Sequence, residues 1–204
     1  MLPSLLWISP GRGLGEPLYQ RLATCVRAGL RGFQLREKQS NPGDILAFAE
    51  RAQPLLAEHE GLLLINDRVD IARASRSGGV HLGSRSLPCQ VARSILSPGQ
   101  LIGASVHDVA ELERALEGGA DYVFASPVYP VRKEGRMSSP PLGPVGLSDL
   151  VRRSSVPVFA LGGVDPAKVA AVRDTGVHGI AVLSGIAGAR DPAATVEAYL
   201  SAWS

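Results

Sequence analysis

Polar residues that could do chemistry close several short apolar runs of the sequence. Asn66 and Asp67 close one run, and Ser105 and His107 close another. A carboxylate can hold a divalent cation, and an imidazole can move protons near neutral pH. The sequence therefore supplies one candidate Mg²⁺ ligand and one candidate acid or base directly after apolar segments.

Basic residues close another apolar run, the segment GFQLREK at 32–38. Gln34, Arg36 and Lys38 share one face of this run if its extended geometry continues to the end. A guanidinium and an ammonium separated by two residues suit a phosphate or a carboxylate. The alternative is a solvated strand end whose cations pair with Glu37, and the spacing favours a ligand role.

Small residues close the last two apolar runs. Gly162 and Gly163 end one of them, and Leu183, Ser184 and Gly185 end the next. Glycine lets backbone N–H groups approach an anion closely, although glycines often only form turns. Their occurrence in two successive runs favours a phosphate site.

These residues are placed by eight short apolar runs, which we interpret as strands. The runs are Leu5 to Ser9, Gly32 to Glu37, Leu62 to Asp67, Gly78 to Gly83, Leu101 to Val106, Tyr122 to Ser126, Val158 to Gly162 and Ile180 to Ser184. Segments with helical spacing separate most of them, which is typical of a parallel sheet. Eight evenly spaced units favour a compact, closed α/β barrel over an open doubly wound α/β sheet. We predict a single (β/α)8 TIM barrel domain over residues 1–204.

In such a barrel the chemistry lies at the carboxyl ends of the strands, and the loops after strands seven and eight often bind phosphate. The candidate residues above lie at these ends. The longest connection, Pro127 to Gly146, contains five prolines and three glycines and has no helical periodicity. We expect a lid or binding loop after strand six, with local disorder as the alternative.

Composition excludes several classes of protein. The 204 residues carry a net charge of +2 and only 5% aromatic residues, which argues against a nucleic-acid partner. Two cysteines without a metal-binding spacing favour a reducing compartment. No apolar run approaches the length of a membrane span, so we expect a soluble cytoplasmic protein without a membrane partner.

The motifs resemble those of thiamine phosphate synthase and its TenI-like relatives. They are GFQLREK, LLINDRVDIA, GVHLG, GASVHDVAELERALEGGADYV, SPVYP, ALGGV and GIAVLSGI, which occur in order along nearly the whole chain. The resemblance implies a (β/α)8 barrel that binds thiazole phosphate. It also implies a homodimer.

The resemblance assigns a role to most of the candidate residues. A pyrimidine diphosphate would be held by Gln34, Arg36, Lys38, Asn66 and Ser105, with Asp67 as one Mg²⁺ ligand. The phosphate of the thiazole would lie at Gly163, Leu183 and Ser184, next to Gly162, which agrees with the phosphate site inferred from the glycines.

Two departures from the family pattern distinguish its branches. Ser86 stands where synthases have a second acidic Mg²⁺ ligand, and Pro130 is followed by Val131-Arg132-Lys133, so both threonines of the family's Thr-x-Thr-Lys run are missing. These changes favour a TenI-like thiazole tautomerase, which transfers a proton and needs no cofactor. The histidine of the known tautomerase is Pro127 here, so His107 or Lys133 would carry the proton.

Two alternatives remain open at this point. One is a thiamine phosphate synthase that joins thiazole phosphate to pyrimidine diphosphate with Mg²⁺. The other is a non-catalytic sensor of thiazole phosphate.

Overall fold

Eight short parallel strands form a closed barrel in the computed structural model, which describes the backbone of residues 1–133, 136–137 and 140–204 and the side chains of residues 1–131 and 140–204. The barrel strands in chain order are β1 (Leu5–Ile8), β2 (Gly32–Leu35), β3 (Leu62–Asn66), β4 (Gly79–Leu82), β5 (Leu101–Val106), β6 (Tyr122–Ala125), β9 (Val158–Leu161) and β10 (Gly179–Val182), and the short strands β7 (Arg132–Lys133) and β8 (Arg136–Met137) form a separate pair. Around the barrel they follow the order β1-β10-β9-β6-β5-β4-β3-β2. The predicted (β/α)8 barrel is confirmed.

Helices connect the strands on the outside of the barrel. They are α1 (Glu16–Arg27), α2 (Pro42–Ala57), α3 (Val69–Ala74), α4 (Cys89–Ile95), α5 (Val109–Glu117), α6 (Gly143–Arg153), α7 (Val169–Arg173), α8 (Ser184–Ala187) and α9 (Pro192–Trp203), with a 3-10 turn at Pro166–Lys168. Asp191 caps α9 by accepting a hydrogen bond from the backbone N–H of Ala194 at 3.0 Å. Pro192 then occupies the first helical position, where its missing N–H costs nothing.

Two sequence expectations about local geometry were wrong. The extended run of β2 stops at Leu35, so Lys38 lies in a turn and does not continue the strand face of Gln34. The segment after β6 is not a uniform loop to Gly146, because β7 and β8 pair antiparallel and α6 begins at Gly143. Proline near the start of α6 conceals that helix from a periodicity argument, since proline also marks loops.

The strands bury side chains on both faces. Alternate residues face outward against the helices, and the others fill the barrel interior with Leu6, Ile8, Leu64, Tyr122, Phe124, Phe159 and Ala181. The Tyr122 ring lies across Gly103, where a β-carbon would stand 2.0 Å from the ring. Only glycine at this position leaves room for the aromatic layer that closes the barrel below the candidate site.

Among the residues described, no helix combines the length and the apolar character needed to cross a membrane.

Candidate active site

Asp67 lies at the carboxyl end of β3 at the centre of a cluster of donors. Its carboxylate accepts hydrogen bonds from Asn66 Nδ2 at 2.7 Å, from the Gly83 backbone N–H at 3.2 Å and from the Ser86 hydroxyl. The Lys38 ammonium lies 3.5 Å from Asp67 Oδ2. Its neighbour Arg68 pairs with Asp70 instead of Asp67.

The cluster keeps Asp67 ionised. Burial by itself raises the pKa of Asp67, but the hydrogen bonds from Ser86, Gly83 and Asn66 and the charge of Lys38 together hold that pKa below its ordinary value of 3.8. A carboxylate that carries its charge at neutral pH can bind a cation without first losing a proton.

Ser86 directly contacts Asp67, although 19 residues separate them in the sequence. Its hydroxyl occupies the place where the family resemblance implies a second carboxylate. No cluster of three or more His, Cys, Asp or Glu side chains suited to a metal occurs in the described part of the chain. The oxygens of Asp67 and Ser86 nevertheless fit Mg²⁺, because this ion often takes one or two carboxylates and completes its octahedron with substrate phosphates and water.

Solvent exposure increases along the segment beside this cluster, from Gln34 through Arg36 to Lys38. Gln34 is buried and its Nε2 has no hydrogen-bond partner among the described residues, Arg36 is half-buried, and Lys38 is exposed. A cavity of about 270 Å³ opens between the ends of β2 and β3 and is lined by Lys38, Asn66 and Asp67 among others. Of the residues assigned to a diphosphate by the family resemblance, Lys38 and Asn66 line this cavity, and the binding role of all five stays a prediction.

The alternative in which Arg36 and Lys38 pair with Glu37 does not occur. Glu37 is buried and faces the β1–α1 loop, where its carboxylate accepts hydrogen bonds from Ser9, Gly11 and Gly13. Neither basic neighbour therefore forms an ion pair with Glu37, and Lys38 pairs with Asp67 instead.

Ser105 is held by a hydrogen-bonded chain inside the barrel. His81 Nε2 lies 2.9 Å from Ser105 Oγ, and His81 Nδ1 lies 3.3 Å from the Tyr122 hydroxyl. The imidazole also stacks on Phe124 with 4.0 Å between ring centroids. His81 is thus the core histidine that its position within a strand predicts, and it orients Ser105 from below.

Acid should destabilise the protein through His81. Burial lowers the pKa of His81 from 6.5 to about 3, against a small opposing effect of the Asp67 charge. Between these two values the unfolded chain binds a proton that the folded protein excludes, so stability is full above pH 6.5 and falls as the pH drops below it. We expect a loss of about 1 kcal/mol per pH unit in urea unfolding between pH 6.5 and 4.5.

A His81→Asn variant should show a shallower pH dependence over the same range. His59→Asn, on the α2–β3 connection, is the matched control and should keep the wild-type slope. Equal slopes for wild type and His81→Asn would contradict the assignment of a neutral, buried imidazole.

Gly162 and Gly163 form a turn in which the backbone conformation at both positions requires glycine. Their φ angles are +102° and +69°, and β-carbons there would stand 2.9 Å from Pro127 and 2.7 Å from Tyr129. The turn therefore supports the segment that follows β6. Gly163 also lies exposed at the barrel mouth, as does Ser184, while Leu183 is half-buried beside it.

Lys168 is a cation at this turn that the sequence analysis missed. Its ammonium lies 3.3 Å from the Gly163 carbonyl oxygen, forms an ion pair with Asp165, and stands 5.3 Å from the centre of the Tyr129 ring. Asp165 precedes Pro166 at the start of the 3-10 turn, but its side chain makes no capping hydrogen bond there. An acidic and a basic residue three positions apart could have indicated this pair.

His107 and Lys133 are the two proposed proton carriers. His107 is fastened to the first turn of α5, because Glu111 accepts a hydrogen bond from its backbone N–H at 2.9 Å and lies 2.7 Å from its Nδ1. Asp108 is the residue that caps α5. The side chain of Lys133 lies outside the described residues, so both catalytic roles stay predictions.

Comparisons with known proteins agree with this geometry. A family model described as thiamine monophosphate synthase matches residues 5–186. A thiamine-phosphate synthase from Desulfitobacterium hafniense is 35% identical over 87% of this chain and 86% of its own length. A solved structure, thiamine phosphate pyrophosphorylase from Pyrococcus furiosus, superimposes with a TM-score of 0.88 and 32% identity over 98% of this chain and 95% of that one.

A further relative is longer than this chain. The thiamine biosynthesis bifunctional protein ThiM/ThiE from Symbiobacterium thermophilum is 38% identical over 95% of this chain, which spans only 43% of that protein.

Proposed function

Because the chain belongs to the thiamine monophosphate synthase family, we propose that it is a thiamine-phosphate synthase that joins thiazole phosphate to pyrimidine diphosphate. The observation that carries this choice is the similarity to relatives named as synthases, which extends over most of the chain. The first expectation, a TenI-like tautomerase, rested on Ser86 and on the altered segment before Lys133. The contact of Ser86 with an ionised Asp67 supports the synthase instead.

The reaction forms one bond and breaks another. The thiazole ring nitrogen attacks the methylene carbon of the pyrimidine diphosphate, and the carbon–oxygen bond to diphosphate breaks with both electrons leaving on oxygen. The barrier depends on how well the protein stabilises that departing negative charge. Arg36 and Lys38 supply positive charge at the barrel mouth for this purpose, and Ser105 adds a hydroxyl donor.

The residues around Asp67 suit a bound Mg²⁺, with Asp67 and Ser86 as its ligands from the protein. When bound, the ion would supply further positive charge to the diphosphate oxygens. Asn66 fixes the Asp67 carboxylate at 2.7 Å. Gln34 carries a buried amide nitrogen that no group in the described part of the chain bonds, which suits an acceptor on the pyrimidine.

The thiazole phosphate is assigned to the ends of β9 and β10. Gly163 and Ser184 are exposed there and Leu183 provides an apolar wall. Lys168 adds a cation next to Gly163. The two phosphorylated substrates would then share one barrel mouth, with their reacting ends toward each other.

Product formation from the two substrates tests this proposal. Thiamine phosphate and diphosphate should appear in equal amounts with Mg²⁺ and should fall to background with excess EDTA. The absence of product at every Mg²⁺ concentration would overturn the synthase. Metal-independent aromatisation of the carboxylated thiazole phosphate by the same preparation would then assign the tautomerase, and tight thiazole phosphate binding without either reaction would assign the sensor.

A further inference from the structure

One buried carboxylate holds the β1–α1 loop, residues 9–15, at the mouth of the barrel. Glu37 is only 4% exposed. It accepts hydrogen bonds from Ser9 Oγ at 2.8 Å, from the Gly11 backbone N–H at 3.1 Å and from the Gly13 backbone N–H at 2.9 Å. Three donors from one loop therefore converge on a single side chain from the segment that follows β2.

The choice of a charged residue at this position calls for a reason. Glu37 is the only carboxylate buried among the described residues, and within that part of the chain it has no lysine or arginine partner. Burying a carboxylate costs free energy, which polar donors offset only when their geometry is good. Stability alone is a weak explanation, because a neutral side chain could fill this position at a lower cost.

The same contacts extend to Arg36. Ser9 Oγ accepts a hydrogen bond from the Arg36 backbone N–H at 2.7 Å while it donates to Glu37. The Arg36 guanidinium lies against Gly11, since a β-carbon at Gly11 would stand 3.6 Å from Arg36 Nη1. Glu37, Ser9 and the loop thus fix both the backbone and the surroundings of the arginine.

The position of this loop in the barrel gives the contacts a consequence. Strand β1 pairs with β2 on one side and with β10 on the other. The loop that follows β1 therefore lies between Arg36 at the end of β2 and Ser184 at the end of β10. It occupies the part of the barrel mouth that separates the two proposed subsites.

We infer that Glu37 is a positioning residue, which holds the β1–α1 loop and Arg36 as one unit for the diphosphate of the pyrimidine substrate. This inference rests on the proposed function for the identity of the ligand. Its physical basis is that a carboxylate can accept from all three donors, whereas an amide of the same shape would present an N–H group to at least one of them.

Glu37→Gln should therefore release the loop and weaken the diphosphate subsite. We expect hydrogen exchange at the Gly11 and Gly13 amides to accelerate at least tenfold. We also expect the Kd for inorganic diphosphate and the KM for pyrimidine diphosphate to rise about tenfold, as the loss of one charge-assisted hydrogen bond implies. The Kd for thiazole phosphate should stay within about twofold of the wild type. Ser9→Ala should change the same constants in the same direction.

Asp121→Asn is the matched control. Asp121 also accepts a backbone hydrogen bond across two strands, from Ile102 N–H at 2.6 Å, but at the opposite end of the barrel. This variant should lose stability without a change in either Kd.

Two results would overturn the inference: unchanged exchange at the two glycines in Glu37→Gln, or faster exchange with an unchanged Kd for inorganic diphosphate. An equal weakening of both substrates, matched by Asp121→Asn, would also overturn it, since that pattern reports general destabilisation. Failure of the proposed function is distinguishable, because the wild type itself would then make no product and bind no diphosphate.

Discussion

Asp67→Asn is expected to lower kcat/KM for thiamine phosphate formation by at least about 100-fold, the usual scale for the loss of one group that stabilises transition-state charge. The substitution removes the only carboxylate of the proposed Mg²⁺ site and leaves Ser86 as a single neutral donor. It also turns an N–H group toward Asn66 or Lys38, both of which now donate to or pair with Asp67. Initial rates measured across a Mg²⁺ titration should show both a lower maximum and a higher half-saturating concentration.

The backbone at this position favours asparagine as the test substitution. Asp67 has a φ of +60°, in the left-handed region that asparagine adopts more readily than alanine. The matched control is Asp70→Asn. Asp70 lies three residues after Asp67, is exposed, and pairs with Arg68. A rate within threefold of the wild type and an unchanged Mg²⁺ dependence in Asp67→Asn would remove Asp67 from the proposed mechanism.

The part of the architecture that the sequence predicted is the part encoded by local patterns. Eight apolar runs and the polar residues at their ends located every barrel strand to within about two residues. Asn66, Asp67 and Gly163 were therefore assigned to the mouth of the barrel from strand ends alone.

Contacts between distant segments were beyond such patterns. The contact of Ser86 with Asp67 depends on the register of β3 against β4, which pairs Asn66 with His81. Glu37 shows the same limit more sharply. Between Arg36 and Lys38 it has the appearance of a surface residue, and only the glycine-rich loop after a neighbouring strand provides the donors that permit its burial. Whether a charged side chain is buried depends on its tertiary partners, and local sequence patterns do not show which partners it will have.

Arg36→Gln is expected to raise the KM for pyrimidine diphosphate at least 30-fold and to lower kcat as well. The guanidinium is half-buried at the end of β2, beside the loop that Glu37 holds, and it can donate two parallel hydrogen bonds to a phosphate. Glutamine keeps most of the length and the polar character of the side chain but has no charge. Steady-state kinetics in each substrate at saturating Mg²⁺ should therefore separate the two subsites, with the KM for thiazole phosphate nearly unchanged.

A lysine variant of Arg36 and a control variant elsewhere in the barrel show how much of that loss comes from the paired N–H donors of the planar guanidinium. Arg36→Lys keeps the charge and loses the paired donors, so we expect it to recover less than a third of the lost kcat/KM. Arg31→Gln is the matched control, because Arg31 donates at 3.0 Å to the carbonyl oxygens of Val26 and Leu30 near the opposite end of β2. Full activity in Arg36→Lys would mean that the site uses only a point charge. A normal KM in Arg36→Gln would show that the diphosphate binds elsewhere, and Lys38 with Asp67 would then define the subsite without the arginine.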